Sequence, residues 1–280
     1  MNYYEMPACH VIIIIILALC DLAARRARGA GEARAGMQGG PERARGGGLT
    51  ERAGAAHAII EHEGQRRPAT RSLARGRRVY GEDVLEIDGE EWRVWNPYRS
   101  KLAAAILGGI GPEPIVDGAT VLYLGASTGT TVSHVSDIVG PGGRVFAVEH
   151  ASRVARELLD RVAAHRPNVT PVMQDARRPR EYFSVYGRAD VVYSDIAQPD
   201  QTGIALANCR AHLRERGWLM LVIKARSIDV TRAPSDVIEG EIARIAGDFD
   251  VEGSMGLEPY DRDHAFVLAR ARGGRISGGP

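Results

Sequence analysis

The 280 residues are 44% hydrophobic and 25% charged, which excludes a chain disordered throughout and one built for the bilayer. Cys9, Cys20 and Cys209 form no paired spacing, and His57 and His62 stand in a polar stretch without a third ligand, so neither a disulfide framework nor a metal site is expected. The net charge of +1 divides into thirteen arginines and seven acids over residues 1–80 and 23 basic and 28 acidic side chains over the remainder; a body of net −5 grips nucleic acid weakly alone.

Val11–Leu19 is an apolar run of nine residues, too short for the roughly 20 that span a bilayer, and no membrane association is expected. Nothing basic precedes it, unlike the start of a signal peptide. Residues 1–78 are rich in Ala, Arg and Gly without sustained apolar periodicity, and are read as disordered. They are either a flexible basic arm or an over-extended gene start. Order is expected from Val79. Val84–Ile87 and Glu91–Trp95 flank Asp88-Gly89, which predicts a β-hairpin, and Arg99–Leu107 reads as a short helix. These make a small N-terminal unit over 79–115.

From 116 to 272 strands and helices alternate. Apolar strands are expected at 121–124, 144–149, 169–173, 189–194 and 217–223, with helices at 130–139, 152–165, 200–213 and 235–246. That order predicts a mostly parallel α/β sheet with helices on both faces. Two further strands, 249–257 and 264–270, lack an intervening helix and predict an antiparallel addition at one edge. Residues 273–280 read as a flexible tail. The pattern is that of a Rossmann-like class I methyltransferase.

The first strand runs into Gly125-Ala-Ser-Thr-Gly129-Thr130-Thr131. A glycine turn between strand and helix lets a ligand approach the backbone, and the G-x-x-x-G spacing disfavours a nicotinamide enzyme, which needs G-x-G-x-x-G. Glu149 ends the second strand, where an acid can accept both ribose hydroxyls of a nucleoside. Asp175-Ala176 follows the third, where a carboxylate beside an apolar side chain can hold an adenine amine. Asp195 ends the fourth and Lys224 the fifth. Carboxyl ends of successive strands are where open α/β sheets bind ligands. One or another of these is ordinarily a solvated strand-end residue; four together point to a site. The basic side chains number 34 arginines and two lysines, Lys101 and Lys224. GC-rich coding explains the excess of arginine, and the two surviving lysines are either chance survivors or positions where a compact, tunable ammonium serves and arginine does not.

Pro97-Tyr98-Arg99-Ser100-Lys101-Leu102, Leu122–Gly125 with Gly129-Thr130-Thr131, His134–Gly140, Asp195-Ile196-Ala197-Gln198-Pro199, Leu257-Glu258-Pro259-Tyr260 and Asp263-His264-Ala265 together resemble the fibrillarin family, including its archaeal branch, in order and spacing over about 79–270. The resemblance implies methylation of ribose 2′-hydroxyls in ribosomal and transfer RNA with S-adenosylmethionine as donor. It implies guidance by box C/D RNA alongside a Nop-domain scaffold and a kink-turn-binding ribosomal-type protein. It also implies a cytoplasmic location in an archaeon, or a nucleolar one in a eukaryote. Carried over by position, Lys101, Asp195, Lys224 and His264 form the catalytic set. Gly125, Thr130, Thr131, Glu149, His150, Asp175, Ala176, Asp195, Ile196, Ala197 and Gln198 form the donor site. His150 stands where the family commonly has an aromatic residue, and Ser194 where it has an acidic or small one. The alternatives are a methyltransferase of the same fold acting on a small molecule or protein glutamine, and a non-enzymatic assembly subunit. The first leaves the paired lysines unexplained. The second predicts damage at the donor turn or Asp195, and neither is damaged.

Overall fold

The computed structural model describes residues 49–52, 56–182 and 188–273. Twelve strands and six α-helices in that range build two sheets. The N-terminal sheet has the order β1-β2-β3-β5-β4 and is antiparallel throughout. Its strands are β1 (Leu49–Arg52), β2 (His57–His62), β3 (Gln65–Arg71), β4 (Val84–Ile87) and β5 (Glu90–Val94). The expected hairpin is β4–β5, and both residues of its Asp88-Gly89 turn take positive φ, 53° and 77°, as a two-residue turn matched to strand twist requires.

Strands β2 and β3 correct the expectation that order starts at residue 79. Ala58, Ile59, Ile60 and Ala69 are buried, and most of them pack with Leu85, Ile87, Trp92 and Val94. The apolar run of β2 is only three residues long, and Pro68 interrupts β3, so neither carries a period that declares a strand. A second two-residue turn, Glu63-Gly64 at φ 52° and 70°, joins them without the Asn-Gly or Asp-Gly signature. The apolar run at 11–19 and the tail from 274 lie outside the described residues.

Helix α1 (Lys101–Leu107) leads into the second sheet, formed by β6 (Thr120–Leu124), β7 (Arg144–Val148), β8 (Val169–Val172), β9 (Ala189–Ser194), β10 (Leu213–Lys224), β11 (Phe249–Gly256) and β12 (His264–Ala271). Its order is β11-β12-β10-β9-β6-β7-β8. Neighbours from β10 to β8 pair in parallel. β12 runs antiparallel to both β10 and β11. The expected antiparallel addition therefore sits one strand in from the edge, with β11 outside it.

Period-2 alternation divides the core. Val121 and Tyr123 of β6 face one side with Leu102, Val132, Val135 and Leu158, while Leu122 and Leu124 face the other with Leu206, Cys209 and Ile245. Helices α2 (Thr130–Val139) and α3 (Ser152–Arg161) cover the first face; α4 (Gln201–His212) and α6 (Pro234–Ile245) cover the second. The short α5 (Ala225–Ile228) follows β10. Each fully buried aliphatic side chain here contributes about 1.5–3 kcal/mol. Among the described residues, no helix is long and apolar enough to cross a membrane.

The N-terminal sheet meets α2 through a polar seam. Asp137 accepts from Thr70 Oγ1 (2.8 Å), the Leu73 amide (2.9 Å), Arg93 Nη1 (2.6 Å) and Arg166 Nη1. Arg93 also donates to Glu82 at 2.6 and 2.8 Å and to Ser133 Oγ at 2.8 Å. Two guanidinium groups thus face two carboxylates, all almost fully buried. Inside this seam Trp95 stacks on His134 with centroids 4.5 Å apart and planes 10° from parallel. The seam seats α2 against the segment that leads into α1, and so bears on the position of Lys101.

Candidate active site

Five segments place their ends at one edge of the parallel sheet. The turn after β6 holds Gly125, Ser127 and Gly129 at φ 79°, 51° and 94°. A Cβ at Gly125 would come within 2.9 Å of the Asp195 carbonyl oxygen, so only glycine lets the β6 and β9 ends approach this closely. The Gly125 and Ala126 amides both donate to Val148 O at 3.0 Å, which ties the turn to β7. Gly129 then caps α2, whose first residues are Thr130 and Thr131.

Glu149 follows β7 directly. Its carboxylate accepts from the Ser127 amide at 3.0 Å and the Ala151 amide at 2.9 Å, which holds it against the turn. Asp175 lies beyond the end of β8, where it accepts from the main-chain and guanidinium nitrogens of Arg177 at 2.6–3.0 Å. Those hydrogen bonds draw its pKa down to about 2. His150 is exposed beside Glu149, with Nδ1 3.6 Å from the carboxylate. Ala176 and Ile196 are partly buried against the second core face, while Ala197 and Gln198 are exposed.

Thr131 stands beside Thr130 in the first turn of α2. It is buried, and its hydroxyl donates to Ser100 Oγ at 2.9 Å. Ser100 is the N-cap of α1 and accepts from the Ala103 amide. The threonine thus links the start of α2 to the start of α1, and Lys101 is the first residue of α1. Thr130, half-exposed at the same helix start, remains free to face a ligand.

Lys101, Asp195, Lys224 and His264, drawn from α1 and the ends of β9, β10 and β12, come together. Lys224 Nζ donates to the Asp195 main-chain oxygen at 2.9 Å and stands 2.8 Å from Asp195 Oδ1. Lys101 Nζ lies 3.4 Å from the same Oδ1. The fifth member went unnoticed in the sequence. Asp261 places Oδ2 3.6 Å from Lys101 Nζ and Oδ1 2.5 Å from His264 Nδ1. The signal was available as a carboxylate three residues before the singled-out histidine. His264 itself is set opposite Lys224 by the β10–β12 register.

With neutral imidazole the cluster has two ammonium groups and two carboxylates, at side-chain exposures of 13–33%. Both ammonium groups gather on Oδ1 of Asp195, so the carboxylate presents its other oxygen as an acceptor. The arrangement can orient a hydroxyl, receive its proton and balance the charge without stranding an ion in apolar surroundings.

His62 does find neighbours. Its Nε2 is 2.9 Å from Asp83 Oδ2, and Glu63 completes a trio whose ligand atoms lie within 4.8 Å of one another. Arg67 and Arg99 line the same cavity, and their charges oppose a cation there.

The fibrillarin family model matches residues 51–273. A fibrillarin-like rRNA/tRNA 2′-O-methyltransferase of Saccharolobus islandicus is 50% identical over 213 residues, 76% of this chain and 91% of the relative. Among solved structures, Aeropyrum pernix fibrillarin in complex with natively bound S-adenosyl-L-methionine is 45% identical with a TM-score of 0.72, covering 79% of this chain and 97% of that one. The fibrillarin/Nop5p complex gives 38% identity and a TM-score of 0.68, covering 76% and 97%.

Proposed function

The chain belongs to the fibrillarin family, and from that premise we propose that it methylates ribose 2′-hydroxyls of ribosomal and transfer RNA with S-adenosylmethionine as donor. The observation that carries the reading is the convergence of Lys101, Asp195, Lys224, Asp261 and His264 beside the Gly125–Gly129 turn.

The residues present fit the donor. Glu149 is held by two amides with lone pairs left for ribose hydroxyls, and Asp175 is an ionised acceptor suited to an exocyclic amine. The donor supplies an electrophilic sulfonium methyl when bound, so the protein's task is alignment. Gly125, Thr130, Glu149, Asp175 and the Asp195–Gln198 segment would hold it. Asp195 would accept the proton of the attacking 2′-hydroxyl on the oxygen that the lysines leave open. Lys224 and Lys101 hold that carboxylate in place and offset the negative charge developing on the nucleophile. Asp261 fixes the His264 ring and the Lys101 ammonium together. Thr131 serves as a strut through Ser100. A 2′-hydroxyl requirement restricts the substrate to RNA.

A body of net −5 over residues 81–280 needs help to hold a polyanion. The solved fibrillarin/Nop5p complex supports a Nop-domain protein as partner. A kink-turn-binding protein and a box C/D guide RNA would complete the particle and choose the nucleotide.

Reconstitution with these components and labelled donor tests the reading. A 2′-O-methyl group at the guide-selected nucleotide, located by mass spectrometry of the RNA, is the expected product. Glu149→Ala should weaken donor binding measured by calorimetry by about 1–3 kcal/mol, the cost of a lost buried hydrogen-bond partner. No transfer to RNA by the assembled wild-type particle would overturn the function.

A further inference from the structure

A target strand paired with a guide RNA turns its bases towards the guide. What it still offers a protein is its ribose hydroxyls and phosphates. A phosphate contact needs a cation at the rim of the hydroxyl-handling cluster, and both lysines there are already gathered on Asp195 Oδ1.

Arg226 stands at that rim, two residues after Lys224 in the short α5. Its side chain is 50% exposed, yet it is held at several points. Nε donates to Asp263 Oδ2 at 3.2 Å, and Nη1 donates to the Val230 and Arg232 carbonyls at 3.1 and 3.5 Å. The Ala225 amide donates to the Asp263 carbonyl at 3.0 Å, and Asp263 immediately precedes His264 of the cluster. The arginine is therefore fixed to the end of β10 and to the start of β12 together. Among the described residues, no hydrogen bond engages its Nη2. Stability does not account for this brace, because an ion pair so open to water contributes little and immobilising a long side chain costs rotamer freedom. A guanidinium set in place before its ligand arrives loses less of that freedom on binding.

The chemistry of the nucleotide selects the ligand. Its 2′-oxygen and its 3′-phosphodiester are carried on neighbouring ribose carbons, so a group that grips the phosphate also fixes the attacking oxygen. Two steps of about 3.8 Å keep the Cα atoms of Lys224 and Arg226 within about 8 Å, so one nucleotide can meet both. We propose that Arg226 binds the target-strand phosphate on the 3′ side of the methylated ribose. It holds the 2′-hydroxyl in register with Asp195 and Lys224 while the guide holds the bases. The proposal rests on the RNA-methylating reading above and adds a substrate contact outside the donor and proton-handling groups.

The full chain, assembled with scaffold, kink-turn protein and guide, should be assayed in single turnover at saturating target, where pairing with the guide does not limit the rate. Arg226→Ala should lower that rate about tenfold, the lower end for a hydrogen bond to a charged group. Donor affinity by calorimetry and target binding to the particle should equal those of wild type. Arg226→Lys, which keeps the charge without the planar fork, should fall between the two. Synthetic strands carrying one uncharged amide linkage in place of a phosphodiester, chosen so that their duplexes melt alike, identify the partner. Replacing the 3′ linkage of the target nucleotide should cost wild type the same factor and cost Arg226→Ala nothing further. Additive losses at that linkage, or a shared loss at the 5′ linkage or in the guide strand instead, would overturn the proposal while leaving the enzymatic reading intact. Loss of scaffold binding by Arg226→Ala, seen in sedimentation of the particle, would make the arginine a protein-docking residue and also overturn it. Wild-type particles that never methylate intact RNA would overturn the function itself, and the phosphate contact with it.

Discussion

At the scale of single residues, the site depends on how few atoms share its charges. Asp195 Oδ1 receives two ammonium groups, and Asp261 divides its oxygens between Lys101 and His264. Asp261 has the less obvious role, and its replacement is the sharper test. Asp261→Asn keeps shape and volume but withdraws the charge facing Lys101. The ammonium then keeps Asp195 as its remaining carboxylate partner, and the His264 ring loses its anionic anchor. The expected outcome is a kcat lowered on the order of 100-fold, the lower end of general acid–base contributions, with donor binding unchanged by calorimetry. A variant with normal kcat in the assembled particle would show Asp261 to be a surface ion-pair partner only. The lysines were legible because the sequence spends only two of them. Asp261 was not legible, because one aspartate among many has no compositional signature and its meaning comes from Lys101, 160 positions earlier in the chain.

At the scale of elements, α2 is the piece that everything else leans on. Its first turn borders the donor loop, Thr131 braces α1 through Ser100, and its outer face is buried by the N-terminal sheet. His134 lies at the centre of that contact. Its ring nitrogens stand 2.7 Å from Thr70 Oγ1 and 2.9 Å from Tyr80 OH. Burial, followed by the charges of Arg93 and Arg166, holds its pKa well below the ordinary 6.5. The folded protein therefore keeps this ring neutral where the unfolded chain would take up a proton. The unfolded state binds more protons below pH 6.5, so His134 contributes stability that is present above that pH and is lost as pH falls. Urea midpoints measured from pH 8 to pH 4.5 should decline below about pH 6.5, with a slope from this residue approaching 1.4 kcal/mol per pH unit. His134→Asn, which keeps hydrogen-bonding capacity without titrating, should be less stable at pH 8 and have a flatter profile. An unchanged profile in the variant would assign the acid sensitivity elsewhere, for instance to His212, whose pKa burial also holds below the ordinary 6.5.

At the scale of the whole molecule, the boundary of the folded body has moved. The family match starts at residue 51 and the described strands at Leu49. Thr70 and Leu73 supply two of the donors to Asp137. A chain starting at Arg78 would lose β1 to β3, uncover Leu85 and Trp92, and leave Asp137 short of partners inside the seam. It should unfold or aggregate, with no cooperative melt. A chain starting at Leu49 should melt within a few degrees of the full chain and bind donor equally. Cooperative unfolding of the Arg78 chain at the full-length temperature would show that the N-terminal sheet is dispensable. The sequence by itself determined the alternating α/β pattern, the donor turn, the strand-end carboxylates and the two lysines. Those features are local: periodicity follows from neighbours along one strand or helix, and the glycine spacing follows from one turn. Only the tertiary structure decided that residues 57–71 fold, that β12 lies inside β11, that Thr131 turns inward to Ser100 and that Asp261 joins the cluster. Each of those depends on a partner distant in the chain, such as Asp137 for Thr70 or Lys101 for Asp261. Burial and charge pairing between remote segments leave no periodic trace in either segment alone.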